Sequence, residues 1–463
     1  MKVGMVSLGC PKNQVDSEVM AGLIKQAGHT VTSDELEAEA IVVNTCAFIK
    51  DASEESIETI LEIASLKDRG KLKYLITAGC LAQRYKEGLV KELPEVDAYL
   101  GTGEFDRIAE VLESLSKGRG VDERCSPIPV PKIIYSHDTP RIRFTPKHWG
   151  YLKIADGCDN RCTYCIIPAL RGNLRSRPIN SIVEEARILS SQGVKELCLI
   201  AQDITAYGAE TKSKRSITSL LKELEKVREL SWIRLLYAHP AHFTDELIEF
   251  LAGSEKVVKY LDIPIQHADD DILKKMGRKV TSAKVMKLIG RLRKDIPGVA
   301  LRTSLMVGFP GETKEKFLKL LRFVKEVEFD HIGVFGYSDE ESAASAKFSG
   351  KVSEELTLER RDRIMKAQNK ISLKKNKEKV GKTYKVLVDG PSAETDLLLA
   401  GRAYFQAPEI DGVVYINDGS PAIGEFADVL ITEAHPYDLV GTADTGCEKA
   451  APRKEKIPRP RPE

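Results

Sequence analysis

The sequence predicts an α/β protein in three parts: an N-terminal open parallel sheet, a central partial (β/α)6 barrel and a small all-β C-terminal domain. Three observations lead there. Apolar, strand-like runs alternate with helical stretches over residues 1–120 and again over 148–377, the pattern of parallel sheets joined by right-handed crossovers. A stretch with Pro127, Pro129, Pro131, Pro140 and Pro146 and no helical period separates the two series as a linker (121–147). From 378 to 445 the runs shorten and are punctuated by Asp389-Gly390, Asp411-Gly412 and Asp418-Gly419, the turn chemistry of an all-β domain. The Pro-rich, basic tail 446–463 is expected to be disordered.

In the first series the expected strands are Val3–Leu8, Ala40–Asn44, Tyr74–Ala78 and Ala98–Leu100, with helical periodicity over Val15–Ala27, Ser53–Ala64 and Asp106–Leu115. In the second they are Tyr151–Ala155, Glu196–Ala201, Ile233–Ala238, Tyr260–Pro264, Leu301–Val307 and His331–Phe335. Six parallel strands make a curved sheet that need not close as an eight-stranded barrel does. A long basic helix is expected over Leu356–Lys379, then short strands at Tyr384–Val388, Val413–Ile416 and Val429–Thr432.

Composition narrows the class. The chain has 463 residues, 42% hydrophobic and 30% charged, which suits a multidomain globular protein with ample core. No apolar stretch approaches the roughly 20 residues that span a bilayer, so no membrane role is expected. The start runs directly into a strand, with no leader expected. Nine cysteines without an export signal argue against a disulfide framework and for thiolates kept for metal in a reducing cytoplasm. The net charge of +1 conceals an asymmetry. Residues 360–382 carry ten Lys or Arg against Asp362 and Glu378, whereas 380–445 carry eleven Asp or Glu against Lys382, Lys385 and Arg402, a net of −8.

Six of the nine cysteines fall into two sets of three. Cys158, Cys162 and Cys165 follow the first strand of the second series in a CxxxCxxC run. Zinc modules usually pair CxxC units and supply four ligands, and no fourth Cys or His lies nearby. The spacing also differs from the bacterial ferredoxin run. Cys10, Cys46 and Cys80 are far apart in sequence, yet each lies just beyond the carboxyl end of an expected strand, the edge where open α/β sheets assemble their sites. Taken singly, each reads as a buried structural cysteine. Three on successive strand ends point to a shared ligand. Three thiolates can hold a four-iron cluster and leave one iron open for a substrate atom. Cys125, Cys198 and Cys447 match no motif and are expected to be structural or incidental.

The CxxxCxxC run, with Tyr164 just before its last cysteine, resembles the radical S-adenosylmethionine superfamily. The resemblance implies a [4Fe–4S] cluster whose open iron binds S-adenosylmethionine and a radical that abstracts hydrogen from an unactivated C–H bond. Gly308, Phe309 and Pro310 look like that superfamily's adenine-side turn, although a plain strand-to-helix turn explains the glycines as well. Gln202 with Asp203, and Gln266 with His267, are polar groups on the reacting edge. By analogy Gln202, Gln266 and Tyr164 join the cofactor-binding set, although the polar ones could equally be caps. His239 and His267 are read as structural hydrogen-bonders. The segments around Cys10, Cys46 and Cys80 resemble the N-terminal domain of the methylthiotransferase family, whose members end in a TRAM domain. That implies a second [4Fe–4S] cluster on these three cysteines, and S-adenosylmethionine as both methyl donor and radical source. It also implies an external electron donor such as flavodoxin or ferredoxin. No acid–base residue is assigned.

Family members modify either an adenosine of transfer RNA or an aspartate of small-subunit ribosomal protein S12. Gly9-Cys10-Pro11-Lys12-Asn13 looks like the ribosomal-protein branch; the transfer-RNA branch typically carries Gln and Met after that cysteine. The acidic C-terminal domain would repel an RNA backbone and attract a basic ribosomal protein. The expectation is methylthiolation at the aspartate β-carbon of ribosomal protein S12, free or presented in the small subunit, with transfer RNA not the expected substrate. Transfer-RNA methylthiolation, a non-enzymatic iron–sulfur carrier and a ribosome-assembly factor are the rival readings.

Overall fold

A computed structural model describes residues 1–118, 128–211, 215–395 and 397–444. Cys125, Cys447, the start of the linker and the tail 446–463 lie outside the described residues. The rest divides into two compact units, one running through Ser372 and the other beginning at Leu373.

The first unit holds two parallel sheets. The N-terminal one has five strands, β1 (Lys2–Ser7), β2 (Thr30–Thr32), β3 (Ala40–Thr45), β4 (Tyr74–Gly79) and β5 (Ala98–Leu100), in the order β2-β1-β3-β4-β5. Chain order reverses about β1, so the loops after β1 and β3 leave neighbouring strands on the same edge. The sequence reading misses β2, a three-residue edge strand too short to show a period. Ile41, Val42 and Val43 of β3 are completely buried, as expected of a central strand covered on both faces. The helix α1 (Pro11–Gln26) starts four residues earlier than its apolar period, with Pro11 at its first turn, where a missing N–H is harmless.

Residues 128–147 contain neither helix nor strand. The central sheet follows: β6 (Trp149–Lys153), β9 (Glu196–Ile200), β10 (Trp232–Leu235), β11 (Val257–Asp262), β12 (Ala300–Val307) and β13 (His331–Gly336). All pairs are parallel and the order is sequential from β6 to β13. A two-stranded antiparallel ribbon, β7 (Ala155–Asp156) with β8 (Arg175–Ser176), brackets the cysteine run between them. Two-residue strands leave no sequence signature, and this ribbon was not anticipated.

The basic helix spans Glu354–Lys377. The second unit is a closed five-stranded barrel: β14 (Thr383–Pro391), β15 (Leu399–Ala403), β16 (Val414–Asp418), β17 (Phe426–Ala434) and β18 (Leu439–Ala443). Its interior is made by Val386, Val388, Ala403, Val414, Ile416, Val429, Ile431 and Leu439. The sequence reading finds three of these strands and misses β15 and β18, five-residue strands each interrupted by Gly and ending in Ala.

Candidate radical and sulfur-transfer site

Asn13 and Asn44 fix the N-terminal cysteine loops. The Asn13 Nδ2 donates to the carbonyls of Leu8 (2.8 Å), Asn44 (3.2 Å) and Thr45 (3.2 Å). Asn44 Nδ2 donates to Asn13 O and to Ser17 Oγ, each at 2.8 Å. Thr45 Oγ1 donates to Ala78 O at 2.6 Å and accepts from Leu81 N at 3.2 Å, tying in the third loop. Ser56 Oγ donates to Cys46 O and accepts from Cys46 N. Gly9 has φ +86°, and a Cβ there would stand 2.6 Å from Cys46 Cβ and 2.8 Å from its Sγ, so only glycine lets these two loops meet.

The three sulfurs share one electrostatic environment. Burial pushes the Cys80 thiol up to about 12, Arg171 pulls it down, and Cys46 and Cys10 push it up further. Cys46 is raised by burial and by Cys10, among other groups. Thiols held this high do not ionise alone at neutral pH; a cationic metal centre would have to supply the compensating charge.

The barrel run is anchored through its backbone. Gly157 (φ +77°) lies where a Cβ would come 2.1 Å from Asn173 O, and Cys158 N donates to Gly172 O at 3.2 Å. Thr163 N donates to Met276 O (3.0 Å) and Thr163 Oγ1 to Lys275 O (2.8 Å). Burial drives Cys165 up to about 12, with Cys162 and Cys158 adding to it. Arg278, 116 residues along the chain from Cys162 and unmarked by any motif, sets Nη1 3.9 Å from Cys162 Sγ. Only the tertiary fold reveals it.

A single ion binding sulfur at about 2.3 Å requires its ligand atoms to lie within about 4.6 Å of one another. Among the described residues the His, Cys, Asp and Glu set that meets a 4.8 Å limit is Asp203, His239 and His242; the cysteine sets are wider. Asp203 accepts from Asn160 Nδ2 at 2.7 Å, pairs with His242 Nδ1 at 2.8 Å and caps the turn Ile204–Ala206. It therefore braces the cysteine run from the loop after strand β9.

The remaining candidates are distributed unevenly. Gln202 Nε2 donates to Asp156 Oδ1 at 2.7 Å, while its Oε1 is buried without a hydrogen-bond partner. Gln266 sits at φ +70° on the same edge. Tyr164 packs against the cluster of Ile272, Met276 and Phe309. Phe309 is fully buried, edge-on to Tyr337 and Phe348. The space a Gly308 side chain would need is taken by Thr357, 2.2 Å away. Glycine there makes room for the helix Glu354–Lys377. Cys198 is fully buried in β9.

The two cysteine sets meet across a buried ionic network. Arg171, on the short helix Ile167–Arg171 after the cysteine run, donates to Asp16 Oδ2 (2.9 Å), Asp156 Oδ2 (3.2 Å) and Asn13 Oδ1 (3.2 Å). Lys153 pairs with Asp16 as well.

Three family models match in series: the uncharacterized protein family UPF0004 over residues 2–101, the radical SAM superfamily over 152–324 and the TRAM domain over 380–443. The ribosomal protein uS12 methylthiotransferase RimO of Geotalea uraniireducens is 50% identical over 440 residues, covering 95% of this chain and 98% of that protein. The protein of the same name from Geobacter sulfurreducens is 49% identical with the same coverage. The chain belongs to the ribosomal protein uS12 methylthiotransferase family. It is an enzyme of the radical S-adenosylmethionine kind, and an iron–sulfur cluster and S-adenosylmethionine go with that class. Solved structures agree on the fold: the radical S-adenosylmethionine methyltransferase TsrM of Kitasatospora setae superposes with a TM-score of 0.53 at 17% identity, covering 72% of each chain. The cobalamin-dependent radical enzyme OxsB gives 0.52 at 12% identity, over 79% of this chain and 56% of that one. No helix among the described residues is long and apolar enough to cross a membrane.

Proposed function

We propose that this enzyme attaches a methylthio group to the β-carbon of an aspartate in ribosomal protein S12, using two [4Fe–4S] clusters, one on Cys158, Cys162 and Cys165 and the other on Cys10, Cys46 and Cys80. The observation that carries the reading is the junction itself: both thiol sets are anchored to one buried network, Asp16–Arg171–Asp156. When bound, the clusters and S-adenosylmethionine would supply reductive cleavage, hydrogen abstraction and the sulfur to be transferred.

The side chains then have three tasks. Arg171 and Arg278 offset the negative charge of the thiolates, one for each set. Asn13, Asn44 and Thr45 hold the N-terminal loops so that their cysteines converge without paying for order at each turnover. Gln202, with a free buried carbonyl oxygen, and Gln266, on the strained edge, are the side chains we assign to S-adenosylmethionine. Phe309 supports Tyr164 by packing, and Gly308 and Pro310 shape the turn beneath. An external donor such as flavodoxin or ferredoxin would bring electrons, in the cytoplasm where thiols stay reduced.

The acidic stretch 380–445 favours a basic protein over an RNA backbone. Of its three basic residues, Lys382, Lys385 and Arg402, the last is already spent in a two-pronged pair with Asp389, at 2.7 and 2.9 Å. Mass spectrometry of S12 and of bulk transfer RNA from cells lacking the gene tests the assignment: the methylthio mass should vanish from S12. Its loss from transfer RNA instead would overturn the substrate.

A further inference from the structure

Among the described residues, four buried cations between the two sheets have a carboxylate partner and a fifth, Lys12, has none. Arg141 pairs with Glu18 and Glu185, Lys153 and Arg171 with Asp16, and Arg177 with Glu185. Lys12, in the first turn of α1, is only 7% exposed. Its ammonium makes no hydrogen bond and no ion pair with any described residue. It rests over the ring of Tyr237, 3.3 Å from the centroid.

The nearest carboxylates are committed elsewhere. Asp262 Oδ1 accepts from Arg302 Nη1 at 3.2 Å and its Oδ2 from the Tyr237 N–H at 3.0 Å. Asp156 is held by Gln202 and Arg171. An ammonium with three donors, withdrawn from water and facing no acceptor, is costly, and an aromatic face returns only part of the lost hydration. The pair is nevertheless held in place. Tyr237 adopts φ +66°, a conformation rare for a bulky side chain, fixed by its N–H bond to Asp262 at the carboxyl edge of β10. Lys12 lies two residues beyond Cys10, in the first turn of the helix that follows that cysteine. The ammonium therefore stands close in the chain to an N-terminal thiol and against a side chain of the barrel.

We propose that Lys12 receives the carboxylate of the substrate aspartate and so makes this site select an acidic side chain. The inference rests on the function proposed above and deepens it. In aspartate the carboxyl carbon is bonded directly to the β-carbon, so gripping the carboxylate leaves the reacting carbon one bond away with little freedom to wander. The methionyl carboxylate of S-adenosylmethionine has the same chemistry, and the experiment separates the two.

Binding of purified S12 to the iron-loaded enzyme is measured for the natural protein and for a version with Asn at the target aspartate. Wild-type enzyme should prefer the aspartate form by roughly 10- to 100-fold, the range for a hydrogen bond to a charged group. Lys12→Met, of similar length and uncharged, should bring that ratio to about one while iron content and reductive cleavage of S-adenosylmethionine persist. Equal binding of both forms by the wild-type enzyme overturns the proposal without recourse to a variant. So does a Lys12→Met enzyme that keeps the ratio, or one that loses affinity for S-adenosylmethionine with the ratio intact. A wild-type enzyme that leaves S12 unmodified refutes the proposed function; one that modifies S12 without discriminating Asp from Asn refutes only the role of Lys12.

Discussion

Arg171 Nη1 stands 2.9 Å from Asp16 Oδ2, so a guanidinium carried by the barrel is fastened to the first helix of the N-terminal sheet. Both side chains are almost wholly buried. The same guanidinium lowers Cys80 against the rise that burial imposes. One residue thereby links the packing of the two halves to the charge balance at the thiols.

Arg171→Ala should therefore destabilise the first unit by about 3–5 kcal/mol, the cost of leaving Asp16 and Asp156 buried with one partner fewer. Lys in its place recovers little, because it lacks the planar fork that reaches Asp16, Asp156 and Asn13 together. Denaturant unfolding of the three proteins checks this; an Arg171→Ala midpoint equal to wild type would show that the network is held by Lys153 alone.

Substituting cysteines one set at a time should separate the two centres. Cys46→Ala and Cys162→Ala should each lose about half the reconstituted iron if each set holds one four-iron cluster. Cleavage of S-adenosylmethionine under reductant should survive Cys46→Ala and disappear in Cys162→Ala. Iron analysis alongside product chromatography reads both, and equal cleavage by the two variants would reverse the assignment.

Gly9→Ala tests the close approach of two loops. A methyl group 2.8 Å from Cys46 Sγ, on backbone at φ +86°, must displace either the sulfur or the loop. The expected outcome is iron loss confined to the N-terminal set with a stability cost of about 1–3 kcal/mol. Retention of full iron content would show that the loop yields without moving the thiol.

His239 makes the first unit acid-sensitive. Burial, with Arg278 adding to it, holds its imidazole down at about 3, against 6.5 for an ordinary histidine. Between those values the unfolded chain takes up a proton that the folded one refuses, so stability is full above about pH 6.5 and falls as pH drops. The loss should reach on the order of 2 kcal/mol by pH 5. Asp203 acts in a lower window. Burial pushes it up, but His242, Thr205 and Asn160 outweigh that and hold it near 2, so its contribution is lost only below about pH 4. His239→Gln should flatten the decline between pH 6.5 and 5 in thermal melts; an unchanged slope would place the sensitivity elsewhere.

The cysteine pattern and the alternation of strands were legible because each is local: a fixed spacing, a period of two or 3.6, an apolar run ending in Gly-Cys. That was enough to expect two parallel sheets, an all-β end and the loops carrying six thiols. The short strands β2, β7 and β8, and the Gly- and Ala-bearing β15 and β18, left no such trace. Nor did Arg278, 116 residues from the thiol beside it. Gly308 carries a packing demand that no sequence motif displays: a side chain there would meet Thr357.

By itself the sequence determined which residue types were available and on which strand ends they stood, since both follow from covalent order and local periodicity. Tertiary structure alone decided which of them meet: that Arg171 closes on Asp16 from 155 residues away, and that Lys12 is buried against Tyr237 with no carboxylate of its own. Pairing of buried charge depends on what burial removes from water, and only the packed chain fixes that.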